Sequence, residues 1–192
     1  MRNKDETKVK LILDTALSMI ARIGLSGLKM SDLAKEAGVA TGTVYIYFED
    51  KNQLIRELYL QLTRHSTTDL SKGILVHEPL KIRLNKIALN YLENNIKNPE
   101  NGVFLEQYFR SPYLQKDDET RLEEEKVLQP IYELVLEGQR QSLIKEANPK
   151  WLVLLMCGML NEVAKQLIYK QKSLSEDEWE LTFGVLWDGI KG

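Results

Sequence analysis

Apolar residues along most of this chain recur three and four positions apart, which is the spacing of one face of an α-helix. The first such stretch runs over 9–23, and Gly24 stands where that helix would end. Shorter helical segments are predicted at 31–37 and 41–48, and Gly38 marks a tight turn between them. The first fifty residues are therefore predicted to form three helices.

The rest of the chain continues the helical pattern with few interruptions. Asp50 and Gln53 have the spacing of a capping box, which predicts a long helix over about 51–70. Later helices are predicted at 79–97, 100–111, 118–146, 149–171 and 175–190. Pro130 lies inside the third of these and is expected to kink or split it. No stretch alternates long enough to predict a strand, so the predicted fold class is all-α.

Composition narrows the class of protein. The 192 residues are 43% hydrophobic and 28% charged, which suits one sizeable core or two smaller ones. A single cysteine, Cys157, excludes an internal disulfide framework, and with only two histidines neither a metal site nor a cofactor is expected. The N-terminus has no secretion-signal pattern, and the longest apolar run, 151–160, is about half of the roughly 20 residues that a membrane span needs. These features predict a soluble, cytoplasmic protein without a membrane partner.

Three residues have the spacing of a helix-turn-helix motif. Such a motif needs a small residue where its two helices approach, a glycine at the turn and a branched apolar residue that locks the second helix on the first. Ala34, Gly38 and Val44 meet these requirements. The same spacing also fits an ordinary helical hairpin, so the residues after the turn decide between the two.

The segment after the turn favours nucleic-acid binding. In a helix that begins near residue 41, Val44 and Phe48 face the core. The residues that project away from this core face are Thr41, Gly42, Thr43, Tyr45 and Tyr47. Hydroxyl groups suit phosphate oxygens and base edges, and glycine lets the backbone approach a duplex closely. Lys51 adds a cation beside the free N–H groups of the next helix, so this surface is predicted to contact DNA.

The stretch from about residue 9 to residue 58 resembles the DNA-binding domain of the TetR/AcrR family of transcriptional regulators. The motifs that carry the resemblance are ARIG at 21–24, LAKEAGV at 33–39, GTVYIYF at 42–48 and KNQL at 51–54. The resemblance implies a three-helix DNA-binding domain at 1–50. It also implies a larger helical ligand-binding and dimerisation domain at 51–192, with a connecting helix at about 51–70. Members of the family are usually homodimeric repressors that bind a palindromic operator and are released by a small-molecule effector.

The resemblance also suggests roles for single residues. In the family the positions of Tyr47 and Lys51 commonly contact phosphate. Lys29 stands where a threonine often caps the second helix and touches phosphate, so it joins the expected DNA contacts. Ala40 and Thr41 replace a frequent Ser-Lys pair at the start of the recognition helix. Ala40 has no oxygen to cap this helix, which costs about 1 kcal/mol, and we expect Thr41 to take the capping role.

Two further groups of residues are predicted from the second half of the chain. Aromatic and methionine side chains suit a cavity between helices, and the predicted ligand contacts are Tyr91, Phe104, Tyr108 and Met156. The two C-terminal helices are unusually apolar, which favours a four-helix bundle between two subunits. The predicted contacts in this dimer interface are Trp151, Leu155, Met159, Trp179, Phe183 and Trp187.

The net charge of −2 excludes only a protein that coats DNA by charge alone. The first 64 residues carry ten basic against eight acidic residues, so the excess of basic charge lies on the segment with the motif. The N-terminal basic residues either extend this basic surface to the DNA or belong to a solvated terminus; they are Arg2, Lys4, Lys8 and Lys10. The acidic cluster that begins at Asp117 is either a solvated helix start or an attractor for a cationic ligand.

Three other functions compete with a ligand-controlled regulator. A DNA-binding regulator without a small-molecule ligand fits the same motif, and bulky side chains filling the C-terminal interior would favour it. A helix-turn-helix used for protein contact alone is the second alternative. An enzyme is disfavoured, because the sequence has no Ser-His-acid order, phosphate-binding glycine loop, metalloprotease motif or paired-cysteine motif.

Overall fold

The computed structural model describes residues 6–113 and 118–192, and these residues form α-helices joined by loops. The helices are α1 (Glu6–Gly27), α2 (Met30–Glu36), α3 (Thr41–Tyr47), α4 (Lys51–Leu70), α5 (Leu80–Lys97), α6 (Pro99–Phe109), α7 (Asp118–Arg140), α8 (Pro149–Tyr169) and α9 (Glu176–Ile190). Between the described residues, the only pairing of extended backbone is an isolated bridge from Ile144 to Lys191. The predicted all-α fold class is confirmed, whereas Arg2, Lys4 and Asp117 lie outside the described residues.

The largest difference from the predicted helices is the end of α7. This helix ends at Arg140 instead of residue 146, because Ser142 has a left-handed backbone with φ of 54°. The N–H groups of Leu143 and Ile144 both donate to the carbonyl of Gly138 and close the helix end. Pro130 does not split α7, which continues through it.

The described chain divides into two units by its internal contacts. The first unit comprises the chain up to Thr63 together with Glu100–Glu123, and the second comprises Arg64–Pro99 with Glu124–Gly192. The predicted boundary after residue 50 therefore falls inside the first unit. The beginning of α4 and the whole apolar face of α6 belong with the three N-terminal helices.

The core of the first unit explains this division. Leu54 of α4 and Ile12 of α1 are fully buried in one hydrophobic cluster. Phe104 and Tyr108 of α6 complete the cluster, and the Tyr108 ring stacks on the Tyr59 ring with centroids 4.6 Å apart. Removing α6 would expose these aromatic surfaces. The three N-terminal helices, which end at Tyr47, thus share one core with a helix that begins only at Pro99.

The second unit is built around α5, which packs against α8 and α9. Leu84 and Leu92 of α5 are fully buried there together with Val135 of α7. The two C-terminal helices begin at defined caps. Asn148 accepts a hydrogen bond from the N–H of Lys150, and Ser175 forms a capping box with Glu178.

Gly138 of α7 lies where the core of the second unit leaves no room for a side chain. A Cβ atom there would lie 2.5 Å from Cδ1 of Ile144 and 2.8 Å from Cδ2 of Leu80, and both side chains are buried. We expect Gly138→Ala to lower the free energy of unfolding by about 1–2 kcal/mol, because overpacking outweighs the gain in helix propensity. Urea unfolding measures this change. The control is Gly102→Ala in α6, whose Cβ meets nothing within 4 Å and which should be neutral or slightly stabilising. A Gly138→Ala protein as stable as the control would contradict this packing.

Candidate nucleic-acid interface

The turn between α2 and α3 has the geometry of a helix-turn-helix motif. The N–H of Val39 donates to the Ala34 carbonyl at 3.0 Å, and the N–H of Gly38 donates to the Lys35 carbonyl at 3.2 Å. This is the Schellman ending of a helix, and Gly38 has the positive φ, 68°, that it requires. Ala34 and Val44 are both buried as the two helices pack together. The three residues of the predicted motif therefore take the predicted positions.

Five of the predicted DNA contacts lie on α3, the predicted recognition helix. Thr41, Gly42 and Tyr45 are exposed, whereas Thr43 and Tyr47 are half-buried. Tyr47 packs its ring partly against the core of the first unit. The helix thus presents hydroxyl groups and bare backbone, and none of its seven residues is charged.

Thr41 does not take the capping role that the sequence predicted, so that expectation was wrong. The N-cap is Ala40, which makes no side-chain hydrogen bond, and Thr41 is the first helical residue. Ala40 already has the extended backbone that precedes a helix, with φ −66° and ψ 144°. The N–H of Thr43 donates to the Ala40 carbonyl at 2.8 Å, which closes the first turn through the backbone.

Ile46 is an α3 residue that sequence reasoning missed as a functional candidate. Its side chain is 64% exposed. It stands two positions after the buried Val44 and four after Gly42, which places it on the outward side of the helix. The helical spacing alone was a sufficient signal, because a position opposite Val44 faces outward whichever side chain it carries.

The two predicted lysine contacts differ in their surroundings. Lys29 is exposed at the N-cap of α2 and makes no side-chain capping bond. The Nζ atom of Lys51 donates to the carbonyl of Leu25 at 2.8 Å and lies 5.3 Å from the centroid of the Tyr113 ring. The ammonium group of Lys51 is therefore bound inside the first unit, and its contact with phosphate stays a prediction.

The peptide groups of Leu25 are held from two sides. The Leu25 N–H donates to Oε1 of Gln107 at 2.7 Å, while its carbonyl accepts the bond from Lys51. Gly24 interrupts α1 just before this point, with φ of 77° and ψ of 160°. Side chains from α4 and α6 thus fix the end of α1, from which the chain leads directly into the helix-turn-helix. Sequence reasoning missed Gln107, because this contact joins residues 82 positions apart.

The four predicted ligand contacts are divided between the two units. Phe104 and Tyr108 are fully buried in the core of the first unit, and Tyr91 and Met156 lie in the second. The Tyr91 hydroxyl donates to Oδ1 of Asn161 at 2.8 Å, and burial raises the pKa of this tyrosine well above its usual range. The role of these four residues as ligand contacts stays a prediction.

The second unit contains a cleft of about 290 Å³ that sequence reasoning did not anticipate. It lies between the end of α4, the loop that follows, α5 and α7. Its lining is mostly aliphatic and comprises Leu70, Ser71, Ile74, Val76, Arg83, Ile87, Pro130, Ile131 and Leu134. None of the predicted ligand contacts lines this cleft.

The charged residue of the cleft is already neutralised. Arg83 is buried, and its guanidinium donates to both carboxylate oxygens of Glu137, one of them at 3.0 Å from Nη1. Its Nε donates to the Glu78 carbonyl at 3.0 Å. The hydrogen bond from Arg83 holds the pKa of Glu137 below its usual range, so the pair remains ionised at neutral pH. The cleft therefore offers an apolar surface with little net charge.

The predicted dimer contacts are only partly exposed. On α8, Trp151 and Leu155 are exposed and Met159 is half-buried. On α9, Trp179 and Phe183 are buried in the core of the second unit, and Trp187 packs partly against it. The exposed apolar residues of α9 are Leu181 and Val185, at 70% and 56%. Because α9 is apolar on two sides, its sequence pattern does not distinguish the core side from the outer side.

The turn, the exposed hydroxyl-rich helix and the surrounding three-helix core define a DNA-binding protein of the helix-turn-helix class. A model of bacterial regulatory proteins of the tetR family matches residues 12–58, and a model of the tetracyclin repressor-like C-terminal domain matches residues 79–191. These two models cover most of both units. The chain belongs to the TetR family of transcriptional regulators.

Individual relatives agree with this assignment. The chain is 40% identical over 75 residues to the uncharacterized HTH-type transcriptional regulator YvdT of Bacillus subtilis (strain 168), covering 39% of this chain and 38% of that protein. The HTH-type transcriptional regulator AcrR of Shigella flexneri is 29% identical over 101 residues, covering 51% and 46%. The chain thus aligns with less than half of the length of these curated relatives.

Solved structures resemble the whole chain. A TetR-family transcriptional regulator from Vibrio parahaemolyticus has a TM-score of 0.81 at 28% identity, covering 96% of this chain and 99% of that one. FadR of Bacillus subtilis, solved in complex with stearoyl-CoA, has a TM-score of 0.71 at 21% identity, covering 94% and 98%. The second likeness concerns the fold alone.

Proposed function

We propose that this protein binds a two-fold symmetric DNA operator as a homodimer, represses transcription, and is released by a small apolar effector. The observation that carries the DNA-binding part is the outer surface of α3, which is exposed and uncharged and follows a well-formed helix-turn-helix turn. An exposed tyrosine and isoleucine on a helix this short need a partner, and the major groove accommodates an α-helix. A regulator of transcription acts at the chromosome, so we place it in the cytoplasm of a bacterial cell.

The apolar surface of α8 and α9 supports a homodimer. Trp151, Leu154 and Leu155 are exposed together near the start of α8, and Leu181 and Val185 are exposed on α9. By length and composition α8 is apolar enough to cross a membrane. However, the opposite side of α8 is buried in the core of the second unit through Leu152 and Leu160, as in a soluble helical protein. A second copy of this face would cover both helices in a four-helix arrangement.

Selection of bound sites from random duplex DNA by the full chain tests the DNA-binding proposal. Because two recognition helices of a dimer enter successive major grooves, we expect an inverted repeat whose half-sites are about 10–10.5 base pairs apart, or a multiple of that spacing. The selection must be run at a fixed salt concentration, since phosphate contacts make affinity salt-dependent. A single unrepeated half-site would count against the homodimer, and no enrichment at all would count against DNA binding.

The cleft in the second unit supports the effector part of the proposal. Leu70, the last residue of α4, lines the cleft, while the beginning of α4 belongs to the core of the helix-turn-helix unit. The end of α4 is tied to α5, since Nδ2 of Asn90 donates to the carbonyls of Leu70 and Lys72. An effector that binds better when this end of α4 is displaced would shift α4, and tenfold weaker DNA binding requires about 1.4 kcal/mol of differential affinity.

The chemistry of the cleft limits the effector. A volume of about 290 Å³ is at the lower end of ordinary ligand pockets, so we expect a small compound. The Arg83 guanidinium is occupied by Glu137, so the compound should be uncharged and largely apolar. One structural neighbour, FadR of Bacillus subtilis, was solved in complex with stearoyl-CoA, a ligand that includes a long apolar acyl chain. A DNA-binding regulator without any effector is the alternative.

Filling the cleft should abolish the effector response without affecting DNA binding. Ile131 is half-buried on α7 and lines the cleft, so Ile131→Trp would occupy much of its volume. We expect the concentration of effector that releases the operator to rise at least about tenfold, because lost burial of a few methylene groups is worth more than 1.4 kcal/mol. A library of small apolar compounds, assayed by fluorescence anisotropy of labelled operator, measures the response. The control is Ile82→Trp on α5, an exposed residue outside the cleft lining. If the effector releases Ile131→Trp from the operator at the same concentration as the wild type, the effector site lies outside this cleft.

A further inference from the structure

The recognition helix has a chemical limitation that determines how it can read DNA. Direct discrimination of purines normally uses Arg or Lys against guanine and Asn or Gln against adenine. The seven residues of α3 include none of these types. What remains for base recognition is hydroxyl groups and apolar side chains.

Ile46 is the apolar side chain best placed for this purpose. It is 64% exposed and belongs to neither hydrophobic cluster among the described residues. Val44, fully buried, fixes the opposite side of the helix against the core. Ile46 therefore stands at the centre of the outward face, with exposed Tyr45 beside it in sequence.

Gly42 adds to this arrangement. It lies one helical turn before Ile46 on the same face, and the space where its Cβ would stand is empty to 4 Å. Helical side chains lean towards the N-terminus, so the aliphatic chain of Ile46 extends over the bare backbone at Gly42. The centre of the outward face of α3 thus consists of the branched side chain of Ile46 next to the open space above Gly42.

The major groove offers one apolar group of matching kind, the 5-methyl group of thymine. We propose that Ile46 is a specificity-determining residue that packs against a thymine methyl group in each half-site of the operator. This inference rests on the proposed binding of duplex DNA and adds the base pair that the recognition helix requires. An A·T pair is specified at that position, with thymine on the strand that faces Ile46.

Deoxyuridine tests the proposal, because it removes the methyl group and leaves every hydrogen-bonding group of thymine in place. The site selected from random DNA is resynthesised with deoxyuridine at one symmetric pair of thymines at a time. At one symmetric pair of positions, the substitution is expected to weaken binding by the full chain about fourfold per half-site, or about fifteenfold for both half-sites. This is the loss expected when one buried methyl group is removed from each half-site. Restoring the methyl group as 5-methylcytosine in a G·C pair at that position should bind better than unmodified cytosine.

Combining a protein variant with the deoxyuridine substitution in the DNA assigns the effect to Ile46. Ile46→Ala should weaken binding to the thymine site by at least as much as deoxyuridine weakens binding of the wild type. With this variant, replacing thymine by deoxyuridine should leave the affinity unchanged. Val103→Ala, a truncation of another exposed apolar residue on α6, should keep the full deoxyuridine penalty. Ile46 is largely exposed, so both variants should unfold like the wild type.

The outcomes separate this inference from the proposed function. An enriched site at which no deoxyuridine substitution weakens binding overturns the role of Ile46 and leaves DNA binding intact. A deoxyuridine penalty that persists in Ile46→Ala overturns it as well and assigns the methyl contact to another residue. A selection that enriches no site overturns the proposed function and this inference together.

Discussion

Replacing Gly42 by aspartate is expected to weaken operator binding at least about a hundredfold while leaving the protein folded. Gly42 is exposed on the outward face of α3, and a Cβ atom there meets nothing within 4 Å. A carboxylate in this position would face the phosphate-lined groove, and like charges brought together at an interface cost several kcal/mol. A homodimer would bring one such carboxylate to each half-site, so the cost would apply twice. Fluorescence anisotropy with the selected operator measures the loss.

The loss of affinity in Gly42→Asp should not be accompanied by a loss of stability. Aspartate near the N-terminal end of a helix interacts favourably with the helix dipole, and a side chain replaces the flexible glycine. The free energy of unfolding should therefore stay equal or rise by up to about 1 kcal/mol. Gly102→Asp is a matched control, because Gly102 is also exposed in the first turns of a helix, α6, with nothing near its Cβ. Equal DNA affinity of the Gly42→Asp protein and this control would exclude α3 as the recognition helix.

Leu155→Glu is expected to convert the proposed dimer into a folded monomer that has lost most of its operator affinity. Leu155 is exposed on α8 beside Trp151 and Leu154, within the apolar face that we propose for the dimer. Burying two carboxylates there should weaken the dimer by at least about 3 kcal/mol, roughly a hundredfold in its dissociation constant. Each half-site would then bind alone and lose the effective concentration that linkage provides, about a hundredfold or more.

Sedimentation at micromolar concentration measures the dimer, and anisotropy measures DNA binding by the same sample. Ile82→Glu introduces the same charge at an exposed apolar position of α5, and this control should remain dimeric. If Leu155→Glu sediments like the wild type, the subunit contact lies on another face. If it becomes monomeric yet binds the operator normally, the two recognition helices act independently.

Local chemistry made the N-terminal helices predictable. Gly38 was placed at the turn because a tight helix ending needs positive φ, and the structure gives it φ of 68°. Asp50 was placed before α4, and the structure has Oδ1 of Asp50 accepting from the N–H of Gln53 at 2.8 Å. Such signals act within a few residues and can be read directly from the sequence.

Where a helix has two apolar sides, the sequence did not predict which side is buried. Trp179 and Leu181 are equally suited to burial, and only the packing of α9 on its neighbours places the first inside and the second outside. Gln107 escaped notice for a related reason, since an exposed-looking polar residue of α6 gains its role from a partner 82 positions away. Helical periodicity reports that a face is apolar, but it does not report what covers that face.

The hydrogen bond between Gln107 of α6 and the Leu25 amide has a consequence for engineering chimeric regulators. A fusion that transplants only the N-terminal helices onto another sensor would leave behind Gln107, which binds the Leu25 amide, and Tyr108, which stacks on Tyr59. The transplanted segment would keep its recognition helix but lose part of the core that orients it. Transferable specificity in this protein therefore resides in a discontinuous module of the N-terminal helices, the first half of α4 and α6.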